Sequence, residues 1–428
     1  RFSMAVRSIP KMPFRSSPKV KPTVYWLAMN HFGLITGAKS FGQSTALNMN
    51  STLPLLIDIP ITQLRGKRIL LRLDLNVPIE NGEISDDFRI ASSLPTIEYL
   101  RSAGARIAIV SHLGRRPEET LSPVAKFLEH FFPIRFCPAL VSLKSMVADL
   151  PEGEVLLLEN IRREAGEETN DDDLARTLAA AGDLYVNDAF ASSHRAHTSI
   201  VGVPKYLPGF AGLCLAKEVE NLARAFSPAH PFIIILGGAK FETKLPLLKR
   251  FITIADKIVV YGALAHAFFK ELGYELGESL VDKDTAPARS YLRHSKIILP
   301  ADVRVKNGDR IFIKTPDTLI ATDNILDVGL MAIEQLLPII RQAKFILWNG
   351  PLGNFEHNFR GSTDAVAKFI AASNAESIVG GGDTVASIRS LDILDQFDFV
   401  STGGGAMLDF LATGTLPGIE ALKLTRII

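Results

Sequence analysis

Cysteine is scarce in this chain. There are two in 428 residues, Cys137 and Cys214, each in an apolar stretch and neither in a CxxC or Cys/His cluster. That excludes a disulfide scaffold and a cysteine-bound metal, and it fits buried thiols in a reducing cytosol. Charge of one sign is lacking as well. Lys and Arg total 47 against 46 Asp and Glu, for a formal net charge of +1. Nothing global therefore draws the chain to nucleic acid or to a membrane surface. No run of 18 uncharged apolar residues occurs, which excludes a transmembrane helix. Neither GxxxxGKS/T nor a clean GxGxxG is present, which argues against P-loop ATPases and ordinary dinucleotide dehydrogenases.

One absence is local. Residues 1–50 carry seven Lys/Arg and no Asp/Glu, are rich in Ser, Pro and Met, and begin with Arg. The stretch reads as translated upstream sequence before a true start at Met49, or alternatively as a transit peptide. In either case weak order is expected there, and it stands outside the fold argument. A cytoplasmic location follows from the first reading and an organellar one from the second.

The rest is 47% hydrophobic and 22% charged over the whole chain, ordinary for a globular protein with sizeable cores. At roughly 100–200 residues per domain, the length suggests two domains. Short apolar runs alternate with longer helical patterns. The first set of runs is 68–73 (RILLRL), 106–110 (RIAIV), 154–158 (EVLLL) and 184–186; the second is 232–236 (FIIIL), 257–260, 296–299, 344–347, 377–379 and 397–400. Continuous apolar runs indicate strands buried on both faces. Helical patterns at 89–104, 122–132 and 172–181 lie between them, so the predicted class is α/β. Two doubly wound, Rossmann-like domains are expected, each a parallel sheet flanked by helices, joined by a hinge helix at 212–226. The domain at 51–211 is followed by the hinge, a second domain at 227–410 and a C-terminal segment at 411–428.

In open α/β sheets, ligands bind beyond the carboxyl ends of the strands. In the first half those ends run into polar and basic residues: Asp74 and Asn76, His112 and Arg115, Arg162, and the stretch His194-Arg195-Ala196-His197. Arg89 opens a helix nearby. Guanidinium groups suit phosphate and carboxylate oxygens, and four of them after successive strands outweigh the reading as ordinary surface ion pairs. The pair His194 and His197 has no cysteine or organised carboxylate beside it, so it reads as core or anion-contacting histidine rather than a metal pair. In the second half the ends run into glycine: Gly237-Gly238-Ala239-Lys240, with Lys244 a turn later; Asn349-Gly350-Pro351; Gly380-Gly381-Gly382-Asp383-Thr384; and Gly403-Gly404-Gly405. Glycine lets backbone N–H groups approach phosphate oxygens at a helix start.

The segments LRLDLNVP, SHLGR, LLLENIR, NDAFASSHRAH, LGGAKFETK, WNGPLGNFE, GGGDT and STGGGA resemble the signature series of the phosphoglycerate kinase family, in that order, from about Leu53 to Leu422. The resemblance implies a 3-phosphoglycerate-binding first domain, an Mg-nucleotide-binding second domain and a C-terminal segment packed back on the first. It implies ATP or ADP and 3-phosphoglycerate or 1,3-bisphosphoglycerate as partners, Mg²⁺ as cofactor, and a monomer. Carried over by position, the substrate side is Asp74, Asn76, Arg89, His112, Arg115, Arg162 and Arg195. The nucleotide side is Lys244, Asn349, Glu356, Gly381, Gly382, Asp383 and Thr384. The catalytic group is Arg89, Lys240, Lys244, Gly381 and Gly382, with Asp383 on the metal. The competing reading is a catalytically impaired nucleotide or phospho-ligand binding protein on the same fold.

Several positions depart from the family pattern. Tyr261-Gly262-Ala263-Leu264 is expected to line the adenine pocket. Phe241 and Glu242 replace a common Val-Ser, and Pro246 soon follows, expected in the first turn of the next helix, where Pro is tolerated. Ala191, Arg163 and Leu330 replace a usual Gly, aromatic and Pro, and the region 286–322 is short. None of these removes a charge that phosphoryl transfer needs, so an active, divergent member is expected.

Overall fold

The structure is a computed structural model that describes residues 53–425; the expectations for residues 1–50 lie outside the described residues. Two six-stranded sheets form its frame, and every pairing within them is parallel. The first sheet holds β1 (Arg68–Arg72), β2 (Arg106–Val110), β3 (Ile134–Cys137), β4 (Val155–Leu158), β5 (Leu184–Asn187) and β6 (Gly209–Ala211), in the order β3-β4-β2-β1-β5-β6. The second holds β7 (Phe232–Leu236), β8 (Lys257–Val260), β9 (Ile297–Ile298), β13 (Phe345–Asn349), β14 (Glu376–Gly380) and β15 (Phe399–Val400), in the order β9-β8-β7-β13-β14-β15. Chain order reverses between β7 and β13, where Leu236 pairs with Asn349. That is the switch point at which a crevice opens.

The central strands are buried on both faces, which is why they read as unbroken apolar runs; all five residues of β7 and of β13 are buried. β3 and β6 were not expected from the sequence. Both are edge strands, and β3 carries exposed Arg135 in its middle. A separate antiparallel sheet was also missed. It pairs β10 (Val303–Asn307), β11 (Arg310–Lys314) and β12 (Asn324–Val328) in the order β11-β10-β12, and the β10–β11 turn places Gly308 at φ +56°. In β10 the burial alternates, with Val303 and Val305 inward and Arg304 and Lys306 outward.

The helices that matter for the site are α1 (Phe88–Ser102), α2 (Leu213–Ala223), α3 (Phe241–Phe251), α4 (Leu330–Gln342), α5 (Gly382–Ser390), α6 (Gly404–Thr413) and α7 (Pro417–Lys423). The hinge expected as one helix over 212–226 is α2 followed by a 3-10 turn, Arg224–Phe226. Pro246 lies in the second turn of α3, not the first. The helix continues through it because the residue whose carbonyl loses its donor, Glu242, is exposed to water. Leu330 is the first residue of α4 rather than a loop residue, and Asp302 caps that helix through the amides of Met331 (3.2 Å) and Ala332 (2.7 Å). Ala191 sits in a 3-10 turn, Phe190–Ser192, where a Cβ is no burden, and Arg163 pairs with Glu159 at 3.1 Å. α7 returns to the first domain: Leu422 joins its core, and the Gly418 amide donates to the Ser193 carbonyl at 2.9 Å.

α2 also carries a buried carboxylate between the domains. Glu218 accepts from the Thr402 amide (2.6 Å) and hydroxyl (2.7 Å), while its second oxygen has no partner. Burial pushes its carboxyl up to about 7. A carboxyl raised in the folded state stabilises most below its unfolded value, and that contribution is lost as pH climbs through the folded value. Glu218→Gln keeps the acceptor and removes the titration. In thermal melts, the parent is expected to lose stability relative to Glu218→Gln between about pH 4.5 and 7; parallel pH profiles would contradict this account of the hinge.

Candidate active site

At the carboxyl edge of the first sheet the chain collects charge. Asp74 lies just past β1, buried, and its carboxylate stands 3.4 Å from Arg89, the second residue of α1. Burial pushes the Asp74 carboxyl up, but the Arg89 and Arg72 charges outweigh it and hold it below the usual range. Asn76 knits three segments together. Its carbonyl accepts from Arg89 (2.9 Å), its side-chain oxygen accepts from the Gly114 amide (2.8 Å), and its own amide donates to Asp74 (3.1 Å). Gly114 is held at φ +60°, a conformation side chains rarely adopt, and a Cβ there would also displace the Glu119 carboxylate. Arg162 donates to the Gly114 carbonyl and lies 3.3 Å from Glu168.

His112 is buried beyond β2, and Arg72 donates to its Nδ1 at 3.3 Å. A guanidinium only donates, so the imidazole accepts at Nδ1 and keeps its proton on Nε2. Burial, then the charges of Arg72, Arg162 and Arg195, push His112 down to about 3, so it is neutral at physiological pH. His197 is pushed down to about 4 by burial and the neighbouring arginines. Mutual influence of this size places Arg72, Arg162 and Arg195 within one electrostatic cluster. Arg195 is exposed and donates to His194 at 3.3 Å, and Arg115 is exposed beside Gly114.

Sequence reasoning missed the base of this cluster. Arg72, 1% exposed within β1, donates to the Ser199 hydroxyl at 2.8 Å. Ser199 in turn donates to Glu167, from its hydroxyl at 2.6 Å and its amide at 2.9 Å, and its carbonyl accepts from the Tyr185 hydroxyl at 2.7 Å. Glu167 is thus the buried countercharge under the arginine rim, and Ser199 anchors the loop that carries Arg195 and His197. A charged residue inside the apolar run RILLRL was the available signal.

The edge of the second sheet is built from backbone. The Gly237 amide donates to the Asn349 carbonyl (2.9 Å) and the Gly238 amide to the Pro351 carbonyl (2.8 Å), so the turns after β7 and β13 touch directly. A Cβ on Gly237 would lie 2.2 Å from the Pro351 oxygen. Gly381, which precedes α5, is held at φ +105°, with its would-be Cβ 3.3 Å from the Gly350 amide. A cavity of about 440 Å³ opens here, with Gly238, Gly262, Ala263, Pro351, Glu356 and Asp383 in its wall. Of the stretch expected to line it, Gly262 and Ala263 do. Tyr261 and Leu264 do not; both are buried, and the Tyr261 hydroxyl donates to the Ala332 carbonyl at 2.9 Å.

Lys240, Lys244, Asn349, Gly381, Gly382 and Thr384 lie outside that wall. Lys240 is exposed just before α3. Lys244 sits one turn later, and burial alone pushes its ammonium down to about 8, with no described carboxylate beside it. Asn349 is buried at the end of β13. The Thr384 hydroxyl is buried without a partner. Burial and the Glu356 charge push the Asp383 carboxyl up. Its negative charge lacks a counterion, which suits a cation that takes one carboxylate and completes its shell with phosphate oxygens and water. Among the described residues no cluster of three or more His, Cys, Asp or Glu forms a self-contained metal site.

A parallel α/β domain edged with guanidinium groups, joined through a helix to one edged with glycine turns around a cavity, defines a two-domain α/β protein for two phosphorylated ligands. The sequence profile described as phosphoglycerate kinase matches residues 59–414. A phosphoglycerate kinase of Dictyoglomus turgidum is 42% identical over 389 residues, which cover 86% of this chain and 98% of that one. The structure of phosphoglycerate kinase from Coxiella burnetii is 36% identical with a TM-score of 0.73, covering 87% of this chain and 99% of that one. The crystal structure from Pyrococcus horikoshii OT3 is 31% identical with a TM-score of 0.75, covering 86% and 98%. The chain belongs to the phosphoglycerate kinase family.

Removing the Glu167 carboxylate takes away the countercharge that reaches buried Arg72 through Ser199, leaving it with less compensation. Glu167→Ala is expected to destabilise the first domain by about 3–5 kcal/mol, measured by urea unfolding. Ser199→Ala, which keeps both charges, is expected to cost less, about 1–3 kcal/mol. Equal losses would mean that the charge pair is not what holds the loop.

Proposed function

We propose that this chain catalyses reversible phosphoryl transfer between 1,3-bisphosphoglycerate plus ADP and 3-phosphoglycerate plus ATP. The observation that carries the reading is Lys244, a largely buried ammonium with no carboxylate partner among the described residues, at the start of the glycine-lined edge. Burying a cation unpaired is costly, and an anionic ligand offsets that cost. Membership of the family supports the same reaction.

The acceptor is a carboxylate with an ordinary pKa of about 3.5, already ionised at neutral pH, so no general base is needed. One carboxylate oxygen forms a bond to the γ-phosphorus as the bond to the β-phosphate oxygen breaks, and ADP leaves with the electron pair. Catalysis is then positioning and charge stabilisation. Arg89 and Lys244 take the oxygens of the migrating group, assisted by Lys240 and the amides of Gly381 and Gly382. Arg115, Arg162 and Arg195 hold the remote phosphate of the acid, and neutral His112 donates from Nε2. Asp74 and Asn76 orient Arg89. Thr384 offers its unpartnered hydroxyl to a nucleotide phosphate, Glu356 accepts from the ribose, and Asn349 shapes the turn between them. Asp383 would hold Mg²⁺, which when bound neutralises charge on the nucleotide phosphates. Domain closure about α2 would expel water, which otherwise competes as acceptor. We place the enzyme in the cytosol as a monomer; its two buried free thiols suit a reducing compartment.

The test is ATP-dependent acyl-phosphate formation from 3-phosphoglycerate with Mg²⁺, trapped with hydroxylamine. The parent is expected to be active. Lys244→Ala is expected to lose a hundredfold or more in kcat, about 2.7 kcal/mol of transition-state stabilisation. A folded parent that binds nucleotide yet forms no acyl phosphate would overturn the reading.

A further inference from the structure

Arg389 stands in the last turn of α5, far from the glycine turn at that helix's start. Its guanidinium crosses from the second domain to the first. One nitrogen donates to Asp86, and another donates to Asp87 at 2.9 Å. Those two carboxylates immediately precede α1, and the Asp86 carboxylate also accepts from the Phe88 amide at 2.9 Å. The contact has an apolar component too. Phe88 belongs to α1, yet it packs against a core cluster drawn from the second domain, and the Arg389 guanidinium lies 5.8 Å from its ring centroid. Arg389 is 25% exposed, Asp86 38% and Asp87 23%, so the clasp is partly shielded from solvent.

The position of this clasp is what gives it consequence. Arg89, which takes the migrating phosphoryl group in the reading above, is the residue after Phe88. At the other end of α5 are Gly381, Gly382, Asp383 and Thr384. A nine-residue helix is stiff on the scale of a bond length. It therefore ties the start of α1 on one domain to the glycine turn on the other, by a route separate from the hinge helix α2.

We propose that Arg389 is a positioning residue: by clasping Asp86 and Asp87 across the domain boundary, it sets where Arg89 stands relative to the Gly381–Gly382 turn. It stands apart from the residues assigned above to either ligand. Its loss therefore acts on the ternary complex and leaves each binary complex intact. The inference rests on the assignment of Arg89 made above.

The experiment measures kcat together with the separate dissociation constants of ATP and 3-phosphoglycerate. In Arg389→Ala, kcat is expected to fall about tenfold to a hundredfold, the scale of an ångström-sized misplacement. Both dissociation constants are expected to stay within about twofold and the melting temperature within a few degrees. Arg389→Lys, which keeps one ion pair, is expected to recover part of the loss. The pair Asp86→Asn with Asp87→Asn tests the clasp from the other side, because asparagine still accepts from the Phe88 amide. It is expected to lower kcat as Arg389→Ala does, and the combined variant to fall no further. An unchanged kcat in folded Arg389→Ala, or additive losses in the combined variant, would overturn the inference. Arg89→Ala separates it from its premise. If Arg89→Ala keeps full activity, the Arg89 assignment itself fails. If it loses activity while the clasp variants do not, only the clasp fails.

Discussion

In both sheets every strand runs in the same direction, and the rest of the molecule follows from that constraint. A parallel sheet gathers all its outgoing turns on one edge. Residues far apart in sequence therefore meet there: Asp74, His112, Arg162 and the loop anchored at Ser199 on one domain, and Gly237, Asn349 and Gly381 on the other. The two edges use that opportunity differently. The first spends it on long cationic side chains, the second on backbone amides brought close by glycine. At Gly237 the Pro351 backbone leaves no space for a side chain, and Gly381 is held at φ +105°, where side chains are rarely found.

Concentrating cations has an energetic cost, and the two edges meet it differently. Beneath the arginine rim, Arg72 is neutralised by Glu167 through Ser199, and Arg89 by Asp74. His112 and His197 stay neutral because burial and the surrounding guanidinium groups disfavour another proton. The rim is left with Arg115 and Arg195 exposed, and these need no internal partner. The second edge leaves Lys244 largely buried with no described carboxylate beside it, and sets Glu356 close enough to Asp383 to disfavour the Asp383 charge. A buried unpaired ammonium and a carboxylate disfavoured by its neighbour are each a cost to the protein alone. Phosphate oxygens would offset the first and a divalent cation the second.

The central strands were legible because burial on both faces writes itself as an unbroken apolar run; Arg106–Val110, Phe232–Leu236 and Lys257–Val260 fall where the sequence places them. Two of the four edge strands, β3 and β6, escape that signal. Both are short, and elsewhere β10 alternates rather than runs while β11 is largely exposed, with the cue to that hairpin in Asn307-Gly308. Candidates such as Arg89 and Asp383 could be named from their motifs, and the structure places Arg89 beside Asp74, and Asp383 in the cavity wall. The site was not legible where a charge is hidden in a strand. Arg72 reads locally as an interruption of an apolar run, and only tertiary structure reveals that Ser199 and Glu167 wait beneath it. Tyr261 failed for the reverse reason. Strand alternation turns it into the core, away from the cavity that its neighbours Gly262 and Ala263 reach.

Two edges on separate domains cannot cooperate unless their relation is controlled, and two of the contacts that cross between them are made by groups that would rather be in water, beside apolar ones of Phe190 on Phe410 and of Phe88 on the second domain's core. Glu218 is buried in the hinge with one oxygen unpaired, and it holds Thr402 of the second domain. Arg389 holds two carboxylates of the first domain while partly exposed. Large apolar interfaces would join the domains more firmly, but they would also fix one geometry. Ionic and hydrogen-bonded contacts of modest net strength have specific directions and low cost of rearrangement. Such contacts at the boundary suit the domain closure proposed above, in which the two ligand edges would separate to exchange ligands and return to one register for transfer.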